Sequence, residues 1–374
     1  MIVAVNTRIL TNDFPEEYGN FIFETYKRIA ANNPEQTFIF FVDKKITQQV
    51  IFGANVKTVV TGPAAQHPLR WKFWYDFKLP ALLKKYNADV FVSCNGICSL
   101  RTKVPQCLLI HDLAFLQPLF FMKKSQVIFF KRYTPAFLAI AKSITTVSGF
   151  FKQEIISHYK IDSAKIAVVF SGTSDNFQPI SNEEKAIIKS KYTDGREYFV
   201  YSGEIHPRKN VMNLLKAFSV FKKRQQTNMK LLLAGKLAKK YGSFQRDLQS
   251  YKYRNDVVMI APVDESERIN IIGAAYGLID PSLYAGAVVP LLEAMKCDVA
   301  VITAADSSMH DIVKEAVLHA ESTSYTGIAD KMMLLYKDEN IRKELIEKGK
   351  EIARQYDWEK TAALVWQSIL KACK

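Results

Sequence analysis

Short β-branched or aromatic runs alternate with amphipathic segments along nearly the whole chain, and this restricts the fold more than any other feature. In the first half the runs fall at residues 2–5, 38–42, 57–60, 90–93, 107–110, 144–147 and 166–169. In the second half they fall at 198–201, 231–234, 257–260, 277–280 and 299–303. Between them lie helical patterns such as 18–31, 71–86 and 211–224, the last carrying Leu214, Leu215, Phe218 and Phe221 on one stripe. A continuously apolar strand is buried on both faces, so the pattern predicts parallel sheets covered by helices on both sides. That is the doubly wound α/β class, present twice.

Length agrees with two domains, because 374 residues exceed what one ordinary core organises. The boundary is expected within residues 171–184, SGTSDNFQPISNEE, where Ser, Gly, Asn and Pro replace any periodicity. This puts the first domain at 1–174 and the second at 175–356. A further helix is expected at 358–373 after a break at 355–357. No apolar run reaches the roughly 18 residues of a membrane span, and the first residues read as a buried strand rather than a leader. The expected location is therefore the cytoplasm. Cys94, Cys98, Cys107, Cys297 and Cys373 are scattered, and no second Cys/His pair follows Cys94 and Cys98. They are expected as free thiols in a reducing compartment, with no structural metal.

The balance of 51 Lys+Arg against 37 Asp+Glu gives a formal net charge of +14. It favours anionic partners, namely phosphate-bearing substrates, anionic lipid or nucleic acid, without choosing among them. A protein that simply has a high pI is the plainer alternative. No recognised RNA- or DNA-binding motif is present, so nucleic acid is not an expected partner.

The first strand is followed by NTRILTNDFPEEYGN, which lacks the G-x-G-x-x-G fingerprint of dinucleotide-binding enzymes. The second domain instead opens with YFVYSGEIHPRKNVMNLLKAF. A strand runs into Gly203, and Pro207, Arg208, Lys209 and Asn210 stand at a helix start. Backbone N–H groups at a helix N-terminus beside Arg and Lys form an anion site suited to a diphosphate. A solvated basic turn capped by Asn210 is the other reading. Further on, Pro290 begins a helix in IDPSLYAGAVVPLLEAMKC, with Glu293 one turn inside. Glu293 reads as an acceptor for two ribose hydroxyls or as a helix-start charge.

The stretches YSGEIHPRKN, LLLAGK, PSLYAG…PLLEAMKC and YDWEKTA resemble the donor domain of the retaining family 4 glycosyltransferases. LRTKVPQCLLIHDLAF, TTVSGFFKQEIISHYKI and KIAVVFSGTS resemble the acceptor domain of the same family. The resemblance implies the GT-B fold: two facing Rossmann-like doubly wound domains, with helix 357–374 crossing back to the first. It also implies a hexosyltransferase using a nucleotide-sugar donor with retention at the anomeric carbon, without cofactor or metal. By the same resemblance Arg208 and Lys209 bind and neutralise the departing nucleoside diphosphate. Gly203, Gly286, Val288 and Val289 lie along the donor, Glu293 holds its ribose, and His111 contacts the donor sugar near the reacting centre. Gly19 stands in the glycine-bearing loop after the first strand, on the acceptor side.

The chain departs from the family pattern in its donor loop. A segment like E-G-F-G-x-P is here Ala285, Gly286, Ala287, Val288, Val289 and Pro290. A sugar-binding glutamate is thus replaced by Ala285, and Val288 stands where glycine would permit a positive φ and close backbone approach. Asp298 and Ala300 replace a typical Gly and Pro. These changes leave two functional classes: a glycosyltransferase with altered donor use, and a catalytically weak or silent GT-B scaffold that binds a partner or glycan.

One further segment, LFFMKKSQVIFFKRYTPAFLAIAKS, combines Phe120, Phe121, Phe129 and Phe130 with Lys123, Lys124, Lys131 and Arg132. It reads either as a helix resting on an anionic membrane or as one whose aromatics pack inward. The membrane reading would suit a glycan or lipid-linked glycan acceptor in surface-polysaccharide biosynthesis.

Overall fold

The computed structural model describes residues 1–11, 17–44, 52–62, 67–117, 122–238, 241–284, 288–305 and 309–374. The chain divides into two compact units, Met1–Gly172 with Trp358–Lys374, and Thr173–Asp357. Each is a wholly parallel sheet flanked by helices.

In the first unit the strands are β1 (Ile2–Asn6), β2 (Thr37–Val42), β3 (Val56–Val60), β4 (Val90–Ser93), β5 (Gln106–Ile110), β6 (Ser143–Thr146) and β7 (Ile166–Val168). Their order across the sheet is β3-β2-β1-β4-β5-β6-β7. The inner strands are buried on both faces; β3, at one edge, exposes Lys57, Thr58 and Val60. In the second unit the strands are β8 (Tyr198–Ser202), β9 (Lys230–Ala234), β10 (Val257–Ile260), β11 (Gly277–Asp280), β12 (Ala300–Ala304) and β13 (Leu318–Ala320). Their order is β10-β9-β8-β11-β12-β13. Both orders reverse once, between β1 and β4 and between β8 and β11. In open parallel sheets this reversal parts the flanking loops and opens a crevice at the strands' carboxyl ends, where ligands bind.

The helix expected at 71–86 is broken in two. Residues Pro68–Phe73 and Leu79–Lys85 are α-helical, and Trp74–Lys78 forms a π turn between them. Pro80 supplies the reason, because it has no N–H to bond the carbonyl of Asp76 four residues back. The strand β13 carries His319 in the middle of three residues and shows no apolar run.

The last helix, Trp358–Cys373, belongs to the first unit. Trp358 meets Phe21 at 6.0 Å and Trp366 meets Phe38 at 6.1 Å. Ser143 Oγ donates to the carbonyl of Ser368 at 2.8 Å, and Thr361 Oγ1 to that of Phe170 at 2.7 Å. The helix thereby covers Phe21 and lies across the inner strands β4, β5 and β6.

Candidate active site

The crevice of the first sheet is built on a polar network where β1 and β4 part. Asn6 Nδ2 donates to Tyr75 Oη at 2.5 Å and to Asn95 Oδ1 at 3.3 Å. Tyr75 Oη donates to Asn95 Oδ1 at 2.5 Å, and Ser93 Oγ donates to the Ile97 carbonyl at 2.5 Å. Tyr75 comes from the π turn and is buried there. The network ties the end of β1 and the π turn to the loop after β4.

That loop and the end of β5 enclose a cavity of about 170 Å³, lined among others by Tyr18, Asn95, His111, Phe130 and Thr134. His111 directly follows β5 and is buried. Its ring stacks on Tyr18 with centroids 4.3 Å apart and meets the edge of Phe21 at 5.4 Å. Tyr18 Oη in turn donates to Asp112 Oδ2. Burial pulls the His111 pKa down to about 4, against the opposing pulls of Asp112 and a hydrogen bond to the Cys94 backbone. The imidazole is therefore neutral near pH 7. Among the described residues no group hydrogen-bonds His111 Nε2 or Thr134 Oγ1, although both atoms are buried. Buried polar atoms without partners are rare, and in a cavity wall they are natural anchors for a ligand hydroxyl.

Gly19 lies in the helix Glu17–Asn32 rather than in a loop. The expected loop position is thus replaced by a helical one: Gly19 is buried in the first turn, next in sequence to Tyr18. Tyr18 was missed from sequence, because its partner Asp112 lies 94 residues away and no local pattern marks the pair. Cys94, Cys98 and Cys107 are buried free thiols, and burial pushes Cys94 up to about 12 and Cys107 to about 11. They are packing groups, not nucleophiles. Among the described residues no cluster of three or more His, Cys, Asp or Glu is placed to hold a metal.

The neutral state of His111 carries a pH prediction. Its pKa is lower in the fold than the roughly 6.5 of an unfolded chain, so its contribution is complete above pH 6.5 and is lost as pH falls toward 4. Going from pH 7 to pH 5 is expected to cost the first unit about 2 kcal/mol through this group. Urea unfolding of wild type and His111→Gln at both pH values checks this, with the variant showing the smaller loss.

In the second unit the reversal lies between β8 and β11. After β8 the chain passes through Gly203 at φ 146°, whose N–H donates to the Ala234 carbonyl at 2.9 Å. Gly235 follows β9 at φ 155°, and a Cβ there would sit 1.9 Å from the Gly203 oxygen. Two glycines are thus needed for these strand ends to run side by side. The turn Pro207–Lys209 comes next, opened by His206, whose Nδ1 accepts from the Arg208 N–H at 3.2 Å. Burial, and after it the charges of Arg208 and Lys209, lower the His206 pKa to about 4. Lys209 is 1% exposed.

Asn210 does not cap the helix Val211–Gln225 through its side chain. It adopts the left-handed conformation at φ 59°, which Asn tolerates better than most residues. Its amide donates to the carbonyls of Pro281 at 3.0 Å and Ser322 at 2.7 Å. The Leu283 N–H donates to the Arg208 carbonyl at 2.9 Å. The basic turn is therefore pinned to the loop that leaves β11, where a ligand at the reversal would meet both.

Ala285 and Gly286 lie outside the described residues. Val288 is the buried N-cap of the helix Val289–Lys296, with φ −105°. A negative φ is what a β-branched residue favours, so what valine changes here is the space its side chain fills. Val289 and Pro290 form the first turn, both buried. Glu293 stands beyond that turn, 2% exposed, with Oε1 3.0 Å from Arg268 Nη2. It is a buried, ion-paired carboxylate and not a solvated helix-start charge. Asp298 takes a left-handed φ of 59°, which explains why glycine is common there, and Lys350 holds its carboxylate at 3.1 Å.

Each unit thus carries a polar site at its own topological reversal, one with a neutral histidine in a part-apolar cavity, the other basic and fixed in backbone. The family model for Glycosyltransferase Family 4 matches residues 19–177, and that for Glycosyl transferases group 1 matches residues 182–352. O-antigen chain mannosyltransferase B of Escherichia coli is 26% identical over 255 residues, 67% of this chain and 66% of that relative. O-antigen chain mannosyltransferase RfbU of Salmonella typhimurium is 23% identical over 282 residues, 74% of this chain and 73% of that protein. Among solved structures, WaaG, a glycosyltransferase involved in lipopolysaccharide biosynthesis, superposes with a TM-score of 0.79 at 14% identity, covering 98% of this chain and 99% of that one. Anabaena HepE in complex with UDP-glucose gives a TM-score of 0.75 at 14% identity, with 98% and 100% coverage. With one family model on each unit and the whole chain following a GT-B structure, the protein belongs to the group 1, family 4 glycosyltransferases.

Proposed function

We propose that this glycosyltransferase moves a hexose from a nucleoside diphosphate sugar to a hydroxyl of a glycan or lipid-linked glycan, with retention, in surface-polysaccharide biosynthesis. Mannose is the first sugar to test, because the two curated relatives above are named as O-antigen mannosyltransferases. The observation that carries the reading is the turn Pro207–Lys209, with its buried Lys209 and its backbone tied to the loop after β11.

Breaking the anomeric C–O bond leaves the electron pair and a developing negative charge on the diphosphate. Cations already in place stabilise that charge without reorganising as it forms. Arg208 offers a planar fork for two phosphate oxygens, and Lys209 a compact charge in a water-poor position. In this reading the pair takes the electrostatic part that a divalent metal plays in other transferases. Gly203, Val288 and Val289 bring backbone close to the donor, and Glu293 accepts from its ribose hydroxyls. On the first unit, His111 accepts a sugar hydroxyl at Nε2, and Gly19 with Tyr18 forms the acceptor-side wall. The protein acts in the cytoplasm in this account, in keeping with its five free cysteines. No described helix is long and apolar enough to cross a membrane.

The bulk of Val288, together with Ala285, favours a second reading: a scaffold that keeps the fold but turns over weakly or not at all. The two readings part on Ala285→Glu. A charged hydrogen bond to a donor-sugar hydroxyl contributes roughly 1.5–3 kcal/mol, so restoring it is expected to raise kcat/KM at least about tenfold. Transfer assays with GDP-mannose and UDP-glucose check this, and no activity from either protein would favour the scaffold.

A further inference from the structure

Outside the transferase machinery, the positive charge of this chain is strongly localised. Between Asp43 and Glu154 there are 16 Lys and Arg but only three carboxylates, Asp76, Asp89 and Asp112. That segment alone carries +13 of the net +14, and the rest of the chain is close to neutral. Asp76 is buried and engaged by Lys72 and by the Leu100 N–H at 2.8 Å. It therefore does little to offset charge at the surface.

The same segment exposes a large apolar stripe. Leu69, Phe73 and Phe77 are 75%, 62% and 51% exposed, on the helix Pro68–Phe73 and the π turn that follows it. Phe73 and Phe77 stack with centroids 5.5 Å apart, and the guanidinium of Arg101 lies 4.2 Å over Phe77. The helix Lys124–Ile140 packs alongside: Trp71 meets Phe129 at 5.6 Å and Phe130 at 5.8 Å, and the Lys72 ammonium lies 4.8 Å over Tyr133. Phe129 is therefore buried and Phe130 half-buried, so neither is the aromatic that the surface offers. Phe120 and Phe121 lie outside the described residues. What this second helix presents outward is Ile128, 68% exposed, together with Lys124, Lys131 and Arg132. Arg70 is exposed on the first helix.

We propose that this face, with Leu69, Phe73, Phe77 and Ile128 ringed by Arg70, Arg101, Lys124, Lys131 and Arg132, docks the protein on an anionic lipid bilayer. Three large apolar side chains more than half exposed on one short helical stretch are unusual for a protein surface, and apolar side chains ringed by cations match an interface of acyl chains beneath anionic headgroups. The inference goes beyond the transferase reading and stands without it, because no residue of the face belongs to the donor or sugar sites.

The test is flotation of the full chain with vesicles of phosphatidylcholine alone and of an equal mixture with phosphatidylglycerol. The protein is expected to float with the mixed vesicles, weakly with the neutral ones, and less as salt rises. Each removed cation is expected to weaken binding about fivefold, so changing Arg70, Lys124, Lys131 and Arg132 to Gln costs at least about a hundredfold. Leu69→Ser with Phe73→Ser and Phe77→Ser costs about tenfold or more at unchanged charge. Both variants change only exposed side chains, so their thermal unfolding and nucleotide-sugar binding are expected to match wild type. Wild type that ignores the mixed vesicles, or a triple variant that floats as well as wild type, overturns the proposal. So does a wild-type dimer that the triple variant dissociates with vesicle binding unchanged, which assigns the face to a second copy. Loss of nucleotide-sugar binding in wild type bears on the transferase reading alone.

Discussion

Lys209→Met is expected to lower kcat/KM for sugar transfer by about a thousandfold while the second unit stays folded. The ammonium is buried, and methionine fills much the same volume without the charge, so packing is largely kept. What is lost is a cation next to the departing diphosphate, in surroundings where a charge acts more strongly than in water. Deleting one pre-placed group that stabilises developing charge costs about two to three powers of ten in other enzymes, and a full charge acts at the upper end. The loss is expected mainly in kcat, since the bond to the leaving group develops charge only as it breaks. Steady-state kinetics on wild type and variant, with calorimetric unfolding as the folding control, decide it. A variant within tenfold of wild type would remove Lys209 from the chemistry.

Gly235→Ala is expected to destabilise the second unit by about 4 kcal/mol or more. The added Cβ would fall 1.9 Å from the Gly203 oxygen, which belongs to rigid backbone and has no side chain to swing away. Relief requires separating two strand ends that are joined by the Gly203 N–H to Ala234 bond and by the Ile205 N–H to Lys236 bond at 2.8 Å. Backbone strain and broken pairing of this kind belong to the severe class of single substitutions. The disruption also displaces the Arg208 turn that follows, so nucleotide-sugar binding falls with stability. Urea unfolding followed by circular dichroism and by hydrogen exchange of the second unit's amides measures the effect, since all four tryptophans lie in the first unit. A variant with wild-type stability would mean that this close approach does not exist in solution.

The doubly wound class was legible because inner strands of a parallel sheet are apolar on both faces. Runs such as Val90–Phe91–Val92 and Leu231–Leu232–Leu233 follow directly from that burial. Edge positions obey a weaker rule, which is why β13, with His319 at its centre, left no readable signal. The π turn at Trp74–Lys78 was also hidden, although Pro80 is the residue that causes it. Periodicity reports which face is buried and not which carbonyl has lost its donor.

Within the candidate site the basic turn was readable, because a Pro at the first position followed by Arg and Lys is a local pattern. The role of Asn210 was not: its bonds to Pro281 and Ser322 depend on two loops, 71 and 112 residues further on. The same holds for Tyr18 against His111 and for Arg268 against Glu293. In each case the sequence names a chemically able residue, and only the fold supplies the partner that sets its ionisation or orientation. Val288 teaches the converse. From sequence, a valine in place of glycine has two consequences, lost backbone freedom and added bulk, and the observed φ of −105° leaves side-chain volume as the quantity that matters.

The most direct test of the account is a calorimetric titration of the intact chain with GDP-mannose, UDP-glucose, GDP and UDP, repeated on Lys209→Met. One-to-one binding of one nucleotide sugar by the wild type, at least tenfold weaker in the variant, is the predicted result. A well-folded protein that binds none of the four ligands would contradict it.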